Sequence, residues 1–331
     1  MKSPSNGAVA LHDLNPFRPA WWLPGPHLPT LWAALTNHGP NPDVRVERLQ
    51  LSDGDFLDLC WVGGDSGPLV VLMHGLEGSV NSNYAVRILN KIAEAGWGAV
   101  FMHFRGCSGE PNRQDRSYHS GETEDFRNLV SILRKRQPKR QIMALGYSLG
   151  GNVLLKYLGE SGEQAPLAAA AAISPPFELA AGANRLNRGA SKLYQRHLID
   201  SLHGKVRQKF ASRAAPISLD KLRHWRDFRS FDEHVTAPLH GFIDAEEYYA
   251  QSSCRQYLPA IKVQTLIIHS RDDPFLSSDA IPASEELSTS THLVLTNRGG
   301  HVGFVAGRIP FKADYWLDEQ LMAWLRASIK Q

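Results

Sequence analysis

Short apolar runs recur along the chain, and their pattern predicts β-strands. Residues 44–51 alternate between apolar and polar positions and end at the turn residues 52–55, so the next run is expected to pair with them as a hairpin. Several later runs are wholly apolar, as expected of central strands that are covered on both faces. The predicted strands after the first one span residues 56–62, 69–73, 99–104, 141–145, 167–173, 265–269 and 292–295.

Helical periodicity fills most of the gaps between these strands. Residues 83–95 carry an apolar stripe at helical spacing. Residues 122–137 begin with acidic and end with basic side chains, an order that complements the helix dipole, and Pro138 ends that helix. Two more helices are expected, one after residue 148 and one over 315–329. Because strands and helices alternate, we predict an α/β fold with a mostly parallel central sheet flanked by helices.

One segment departs from this rhythm. Residues 178–230 contain no clear strand and carry 12 lysines and arginines against 4 acids, a balance of +8, whereas the rest of the chain carries −5. We interpret the segment as a helical cap inserted into a core of residues 41–177 and 231–331. Its basic side chains either attract anionic esters or an anionic lipid surface, or form a solvated helical face without a role in substrate binding.

Residues 1–40 are predicted to form an N-terminal arm. The stretch 16–35 contains three tryptophans but also five prolines, Arg18 and His27, which favours an arm packed across the core over a contact with a membrane interface. We expect neither a secretory signal nor a membrane span, because no apolar run reaches about 18 residues. A peripheral membrane contact stays open, and the sequence does not indicate the oligomeric state.

Composition and charge narrow the function classes. A net charge of +3 on 331 residues is too small to predict nucleic-acid binding. The three cysteines, Cys60, Cys107 and Cys254, are too far apart for a disulfide framework or a set of zinc ligands. We therefore expect a cytoplasmic protein without a metal, in which these cysteines are small buried apolar groups.

The pentapeptide Gly-Tyr-Ser-Leu-Gly at residues 146–150 carries the strongest chemical signal. It follows an apolar strand and precedes a helix, which is typical of the nucleophile elbow of the α/β-hydrolase fold. The turn in such an elbow is so tight that glycine is favoured on both sides of the serine, whose hydroxyl then stands above the edge of the sheet. We predict that Ser148 is a nucleophile.

A serine hydroxyl needs a base, and position in the chain selects one of the 14 histidines. In this fold the acid follows a late strand and the histidine follows the last strand. His301 lies in a glycine-rich loop after the last predicted strand, so we predict that it is the base. Asp272 and Asp273 both follow residues 265–269. We prefer Asp273 as the acid, because a proline and apolar residues succeed it, and we interpret Asp272 as a solvated or loop-capping carboxylate.

Two backbone amides are expected to stabilise the oxyanion of such a reaction. One belongs to Leu149, directly after the nucleophile, and the other to the loop that follows residues 69–73. That loop reads His-Gly-Leu-Glu-Gly from His74 onwards, which makes the amide of Leu76 the second predicted donor. His74 itself is predicted to brace the loop. This chemistry implies no cofactor and no metal.

Four blocks of sequence resemble the YheT-like branch of the α/β hydrolases. They are residues 74–79, residues 104–112 continued by 118–125, residues 146–152, and a run from Asp232 through 241–242 and 247–249 to 272–273. The resemblance implies Ser148, Asp273 and His301 as the catalytic triad. Eukaryotic relatives in this group include membrane-associated lipid hydrolases, but we do not expect their membrane anchor here and do not carry their location over.

The predicted function is the hydrolysis of carboxylic esters with short or medium acyl chains, or of lipid-like esters, through an acyl-enzyme on Ser148. An acyltransferase or a thioesterase would use the same triad, and the sequence does not separate these reactions. A non-catalytic binding protein on the same scaffold is disfavoured, because the predicted triad and oxyanion loop are intact. The expected partner is therefore a small-molecule ester or a lipid-like substrate.

Overall fold

The computed structural model describes residues 15–36 and 39–329. Eight strands form the central sheet: β1 Arg45–Gln50, β2 Phe56–Gly63, β3 Leu69–Met73, β4 Gly98–Met102, β5 Ile142–Tyr147, β6 Ala169–Ile173, β7 Thr265–Ser270 and β8 Thr291–Thr296. Each lies within two residues of its predicted ends. The strands follow the order β1-β2-β4-β3-β5-β6-β7-β8, and only the β1–β2 and β2–β4 pairs of this sheet are antiparallel. The predicted fold class, with its mostly parallel sheet, is confirmed.

The α-helices of the described residues are α1 His27–Leu35, α2 Asn83–Glu94, α3 Glu124–Arg136, α4 Leu149–Ser161, α5 Leu179–Leu186, α6 Ser191–Lys209, α7 Phe228–Phe231, α8 Ala237–His240, α9 Ala245–Ser252 and α10 Trp316–Ala327. A π-helical turn, Asp232–Thr236, joins α7 to α8. A small antiparallel ribbon of β9 Val305–Ala306 and β10 Asp314–Tyr315 stands apart from the main sheet. The sequence pattern predicted neither α1 nor this ribbon.

Each face of the sheet has its own apolar core. Side chains alternate between the two faces of a strand, so Val71 of β3 packs with α3 and α4, whereas Leu72 packs with α2 and α10. Strand β6 consists largely of alanines, and the small side chains on one face leave room for the buried ring of Trp324 from α10. The indole N–H of Trp324 donates to the carbonyl oxygen of Ala170 at 3.0 Å. The result is a sheet enclosed between two helical layers.

The chain between β6 and β7 is helical over a longer stretch than the sequence predicted. Residues 178–230 contain α5, α6 and most of α7, but the helices continue through the π-turn to Ser252. A separate apolar cluster joins Ile199 and Val206 of α6 to Phe231 and Val235. The predicted border after residue 230 therefore falls inside α7 and divides this cluster. The division of the chain into core and cap stays a prediction.

The described part of the N-terminal arm packs on the C-terminal part of the core. The amide of Ala20 donates to the carbonyl oxygen of Val305 at 3.0 Å, and the indole N–H of Trp316 donates to that of Asn15 at 2.7 Å. Residues 1–14 and 37–38 of the predicted arm lie outside the described residues. Over the ranges that are described, we find no helix with the length and apolar character of a membrane span.

Asn152 ties α4 to two distant loops. Its side-chain amide donates to the carbonyl oxygens of Ser120 at 2.7 Å and Ser252 at 2.8 Å, and its side-chain oxygen accepts from the amide of Cys254 at 3.0 Å. The side chain of Asn152 is fully buried, and its three partners are buried as well. Three backbone groups thus depend on one side chain one turn beyond Ser148.

We expect Asn152→Ala to lower the free energy of unfolding by about 2–4 kcal/mol, because buried polar groups left without partners each cost about 1–3 kcal/mol. Asn90→Ala is the matched control, since it also replaces an asparagine in a helix but removes only one exposed bond, to the carbonyl oxygen of Pro40 at 3.0 Å. Urea denaturation of both variants measures the difference. Equal midpoints for the two variants would contradict the role given to Asn152.

Candidate active site

Ser148 sits at the sharp turn between β5 and α4. Its backbone adopts φ 51° and ψ −118°, a conformation that residues other than glycine seldom adopt and that stores strain. The amide of Ser148 donates to the carbonyl oxygen of Ile173 at 2.8 Å, and its own carbonyl oxygen accepts from the amide of Asn152 at 3.1 Å. These bonds hold the strained turn in place at the carboxyl end of β5.

The glycines around Ser148 are there because no side chain fits. A Cβ on Gly146 would lie 2.4 Å from the carbonyl oxygen of Gly150. A Cβ on Gly150 would lie 2.6 Å from the carbonyl oxygens of both Met73 and His74, where α4 passes the end of β3. The close approach of helix and strand therefore requires glycine at both positions, which explains the sequence motif in physical terms.

Ser148, His301 and Asp273 form one hydrogen-bonded chain. His301 Nε2 lies 2.9 Å from Ser148 Oγ, and His301 Nδ1 lies 2.8 Å from Asp273 Oδ2. Burial alone would raise the pKa of Asp273, but the neighbouring His301 and the hydrogen bonds to the carboxylate, including one from the amide of Phe275, hold this pKa below its ordinary value. The ionised carboxylate accepts a hydrogen bond from Nδ1–H, which leaves Nε2 as the acceptor for the serine hydroxyl.

Contacts from three directions hold the loop of His301. The ring of Phe275 stacks on the imidazole with centroids 4.0 Å apart. The amide of His301 donates to Thr30 Oγ1 at 2.8 Å, and the amide of Gly300 donates to Asp272 Oδ1 at 3.0 Å. Asp272 thus caps the loop, whereas Asp273 contacts the imidazole. The sequence pattern did not single out Thr30, because its contact with His301 joins residues 271 positions apart.

The peptide between Gly75 and Leu76 is oriented by a buried histidine. The carbonyl oxygen of Gly75 accepts from His74 Nδ1 at 2.6 Å and from the amide of Gly78 at 3.0 Å. In a trans peptide the N–H points opposite to the C=O, so the amide of Leu76 points away from His74. The amide of Leu76 has no acceptor among the described residues. A backbone amide without an acceptor is the kind of group that can donate to an external oxyanion.

The amide of Leu149 is free for the same purpose. Leu149 is the first residue of α4, so its N–H has no carbonyl within the helix to bind, and no other acceptor is present among the described residues. His74 supports the arrangement from below, since its Nε2 accepts from the amide of Phe104 at 3.1 Å. Burial lowers the pKa of His74 to about 3, which keeps the ring neutral and both of its hydrogen bonds intact.

An apolar pocket lies above Ser148 under the helices between β6 and β7. Its walls include Leu179, Leu186, Leu198, Leu202, Val206 and Phe231. Lys205 and Lys209 also face it, but both ammonium groups have protein partners. Lys205 lies 2.8 Å from Glu77 Oε1, and Lys209 donates to three neutral oxygens of residues 112–117 at 2.6–2.9 Å. Burial lowers the pKa of Lys209 to about 7.

Within residues 15–36 and 39–329, no group of histidine, cysteine, aspartate or glutamate side chains has the arrangement of a metal site. The three cysteines are free and buried.

The fold and the elbow define the class of the protein. The family model of the α/β-hydrolase fold matches residues 68–307, and the chain belongs to that family. Within the family it is a YheT-like member. It is 42% identical over 305 residues to YheT of Escherichia coli (strain K12), a protein whose name suggests an esterase, and the match covers 90% of this chain and 89% of that one. The resemblance predicted from the sequence is confirmed.

Other known proteins place the chain among the esterase-type members of this family. It is 28% identical over 312 residues to the phospholipase ABHD3 of Mus musculus, covering 91% of this chain and 76% of the phospholipase. Among solved structures, the esterase Pf2001 of Pyrococcus furiosus matches with a TM-score of 0.52 and 16% identity over 81% of this chain and 88% of the esterase. The latter likeness shows the fold alone.

We expect Asp273→Asn to lower kcat/KM for a p-nitrophenyl ester by roughly 10⁴, because an asparagine does not hold the imidazole in the useful tautomer. Asp272→Asn removes a carboxylate from the same turn but leaves the Asp273–His301 contact in place. We therefore expect this variant to lose far less of its kcat/KM. Steady-state kinetics of both variants provides the comparison. A larger loss of kcat/KM in Asp272→Asn than in Asp273→Asn would show that Asp273 is the wrong carboxylate.

Proposed function

We propose that this chain hydrolyses carboxylic esters with short or medium acyl chains, or lipid-like esters, through an acyl-enzyme on Ser148. The observation that carries the proposal is the continuous chain from Ser148 Oγ to His301 and Asp273, with donor–acceptor distances of 2.9 and 2.8 Å, beneath an apolar pocket. Such a chain gives a serine hydroxyl the base that it lacks in water.

Each group in the site has one role in this proposal. Ser148 Oγ attacks the ester carbonyl while His301 Nε2 accepts its proton, and the negative oxygen that forms is bound by the amides of Leu76 and Leu149. His301 then gives the proton to the departing alcohol, and the acyl group remains on Ser148. Water attacks the acyl-enzyme in the second half of the reaction, with His301 again as base. Asp273 stabilises the imidazolium in both halves.

The lining of the pocket supports esters with an apolar acyl group as substrates. More than six of its wall side chains are aliphatic or aromatic, and burial of a hydrocarbon chain against them contributes about 0.8 kcal/mol per methylene. The names of the relatives, an esterase and a phospholipase, agree with this substrate class. The three free, buried cysteines support a reducing and therefore cytoplasmic location.

In this proposal the basic side chains of residues 178–230 do not bind the substrate. The two lysines that face the pocket are already engaged by Glu77 and by residues 112–117. The other ten lysines and arginines of the segment are exposed or half-buried, which favours the interpretation of a solvated helical face.

We expect Ser148→Ala to lower ester hydrolysis by about 10⁴–10⁶ and to abolish labelling by a fluorophosphonate probe, because the variant lacks the attacking oxygen. Circular dichroism and thermal unfolding should match the wild type, since alanine fits wherever this serine fits. Turnover of p-nitrophenyl esters of graded chain length gives the measurement, and product analysis with a competing alcohol separates hydrolysis from acyl transfer. Near-wild-type turnover by Ser148→Ala would disprove the proposed function.

A further inference from the structure

Exposed apolar side chains are concentrated on one side of the protein. Of the nine large apolar residues that are exposed on the described part of the chain, six lie within residues 21–35 and 309–311. Their exposed fractions are 70% for Trp21, 45% for Leu28, 40% for Leu31, 77% for Leu35, 58% for Ile309 and 79% for Phe311. Single exposed apolar residues are ordinary, but a cluster of this kind marks a contact surface.

The two segments form one continuous surface, which we call the apolar face. The indole N–H of Trp21 donates to the carbonyl oxygen of Arg308 at 2.9 Å. The rings of Trp22 and Trp32 each have their centroids 5.9 Å from that of Phe311. The three leucines of α1 point outward at a spacing of three and four residues, while Pro29, Thr30 and Ala33 of the same helix are buried against the core. The helix is therefore apolar on both sides.

The charged side chains of the two segments that form the apolar face are mostly basic. Residues 15–36 and 305–314 contain three cations, Arg18, Arg308 and Lys312, and one acid, Asp314. The three cations are exposed, and none of them has an ion-pair partner among the described residues. Tryptophan and aliphatic side chains surrounded by lysine and arginine match the interfacial region of an anionic lipid layer. A second copy of the chain would bring together two segments that each carry an excess of positive charge.

The same helix reaches the candidate active site. Thr30 Oγ1 accepts the hydrogen bond from the amide of His301 at 2.8 Å, and His27 Nδ1 lies 3.2 Å from the hydroxyl of Tyr194 in α6. We infer that the apolar face docks on the surface of an anionic lipid layer. Docking there brings the edge of the active site to the lipid, so that an ester in the layer is presented beside Ser148. That last consequence rests on the proposed function, whereas the docking does not.

Vesicle co-sedimentation of the Ser148→Ala chain tests the docking without any contribution from catalysis. We expect the chain to sediment with phosphatidylcholine vesicles that contain phosphatidylglycerol, and far less with phosphatidylcholine alone. Leu35→Ser with Phe311→Ser should weaken binding by about tenfold or more, since both side chains would enter the interface. Ile243→Ser is the matched control, because Ile243 is 86% exposed but lies outside the apolar face.

Three results would overturn the docking proposal. One is the absence of sedimentation with either kind of vesicle. Another is equal binding by the double variant and by Ile243→Ser. The third is a wild-type dimer in solution that the double variant abolishes, because a second copy would then cover the face. Activity of the wild-type chain on a soluble p-nitrophenyl ester is measured separately, so a failure of docking leaves the proposed function standing.

A second, independent observation concerns Glu77, directly after the oxyanion donor Leu76. Glu77 has a positive φ of 59°, unusual for a residue with a side chain. Its amide donates to the hydroxyl of Tyr118 at 3.0 Å, and that hydroxyl donates back to Glu77 Oε1 at 2.8 Å. Ser201 and Lys205, one turn apart on α6, also bind the carboxylate. The oxyanion loop and the helix above it therefore share one carboxylate.

The geometry points to Glu77 as a positioning residue that acts through the amide of Leu76. This role rests on the proposed function, because the oxyanion exists only during ester cleavage. Loss of the carboxylate frees the backbone at the positive φ of Glu77 to relax. The peptide between Leu76 and Glu77 would then turn, and the Gly75–Leu76 peptide, which carries the donor, is joined to it at Leu76. Removal of one oxyanion donor costs about 10²–10³ in kcat, so a misdirected donor should cost a part of that.

We expect Glu77→Gln to lower kcat about tenfold or more with little change in KM, and to weaken binding of a trifluoromethyl ketone in parallel, because the oxyanion hole acts on the tetrahedral adduct. Glu246→Gln is the matched control, since Glu246 pairs with Arg229 at 2.7 Å elsewhere among the helices. Glu77→Asp should recover part of the loss. If Glu77→Gln keeps the kcat and inhibitor affinity of Glu246→Gln while Ser148→Ala is inactive, the role of Glu77 is wrong and the proposed function stands.

Discussion

The candidate site depends first on the backbone turn at Ser148. A residue with a side chain at φ 51° costs about 1–3 kcal/mol, and such a conformation persists only where its surroundings leave no alternative. Here the close approach of α4 to the end of β3, which Gly150 permits, closes off the relaxed conformations. The same approach sets the amide of Leu149 beside the serine oxygen. Ser148 and the amide of Leu149, the proposed nucleophile and oxyanion donor, are thus positioned by a single packing contact.

The histidine loop is held by a part of the chain that lies outside the α/β core. A Cβ on Gly300 would lie 2.4 Å from the carbonyl oxygen of Pro26, and one on Gly303 would lie 2.8 Å from that of Pro29. These glycines let the loop lie directly on α1, where Thr30 Oγ1 accepts a hydrogen bond from the amide of His301. The N-terminal segment therefore helps to hold the loop of His301 in place. The same short helix, α1, carries both the outward leucines and the contact with this loop.

The sequence predicted those features that depend on local pattern. Apolar runs located the strands. The pentapeptide at residues 146–150 predicted Ser148, the proline and apolar residues after Asp273 favoured it over its neighbour, and chain order predicted His301. The structure brings these three side chains within hydrogen-bonding distance. The helix α1 was missed, because five prolines between residues 16 and 29 obscure its periodicity. The extent of the helices above the site was also missed. The basic charge of residues 178–230 indicated where these helices begin. Their extent depends on an apolar cluster that joins Ile199 to Val235, and a contact between residues so far apart in sequence leaves no local pattern.

Two histidines in this site illustrate how environment divides one residue type between two tasks. His74 must donate from Nδ1 to Gly75 and accept at Nε2 from Phe104, so only the neutral ring serves, and burial lowers its pKa to about 3. His301 lies against the ionised Asp273 at the pocket, where its ring can accept a proton from Ser148 and return it. A protonated His74 would keep the Nδ1–H bond to Gly75, but its Nε2 would become a donor facing the amide of Phe104, and that hydrogen bond would be lost. The oxyanion loop is therefore braced by a ring that must stay neutral, whereas the imidazole placed between a hydroxyl and a carboxylate is that of His301.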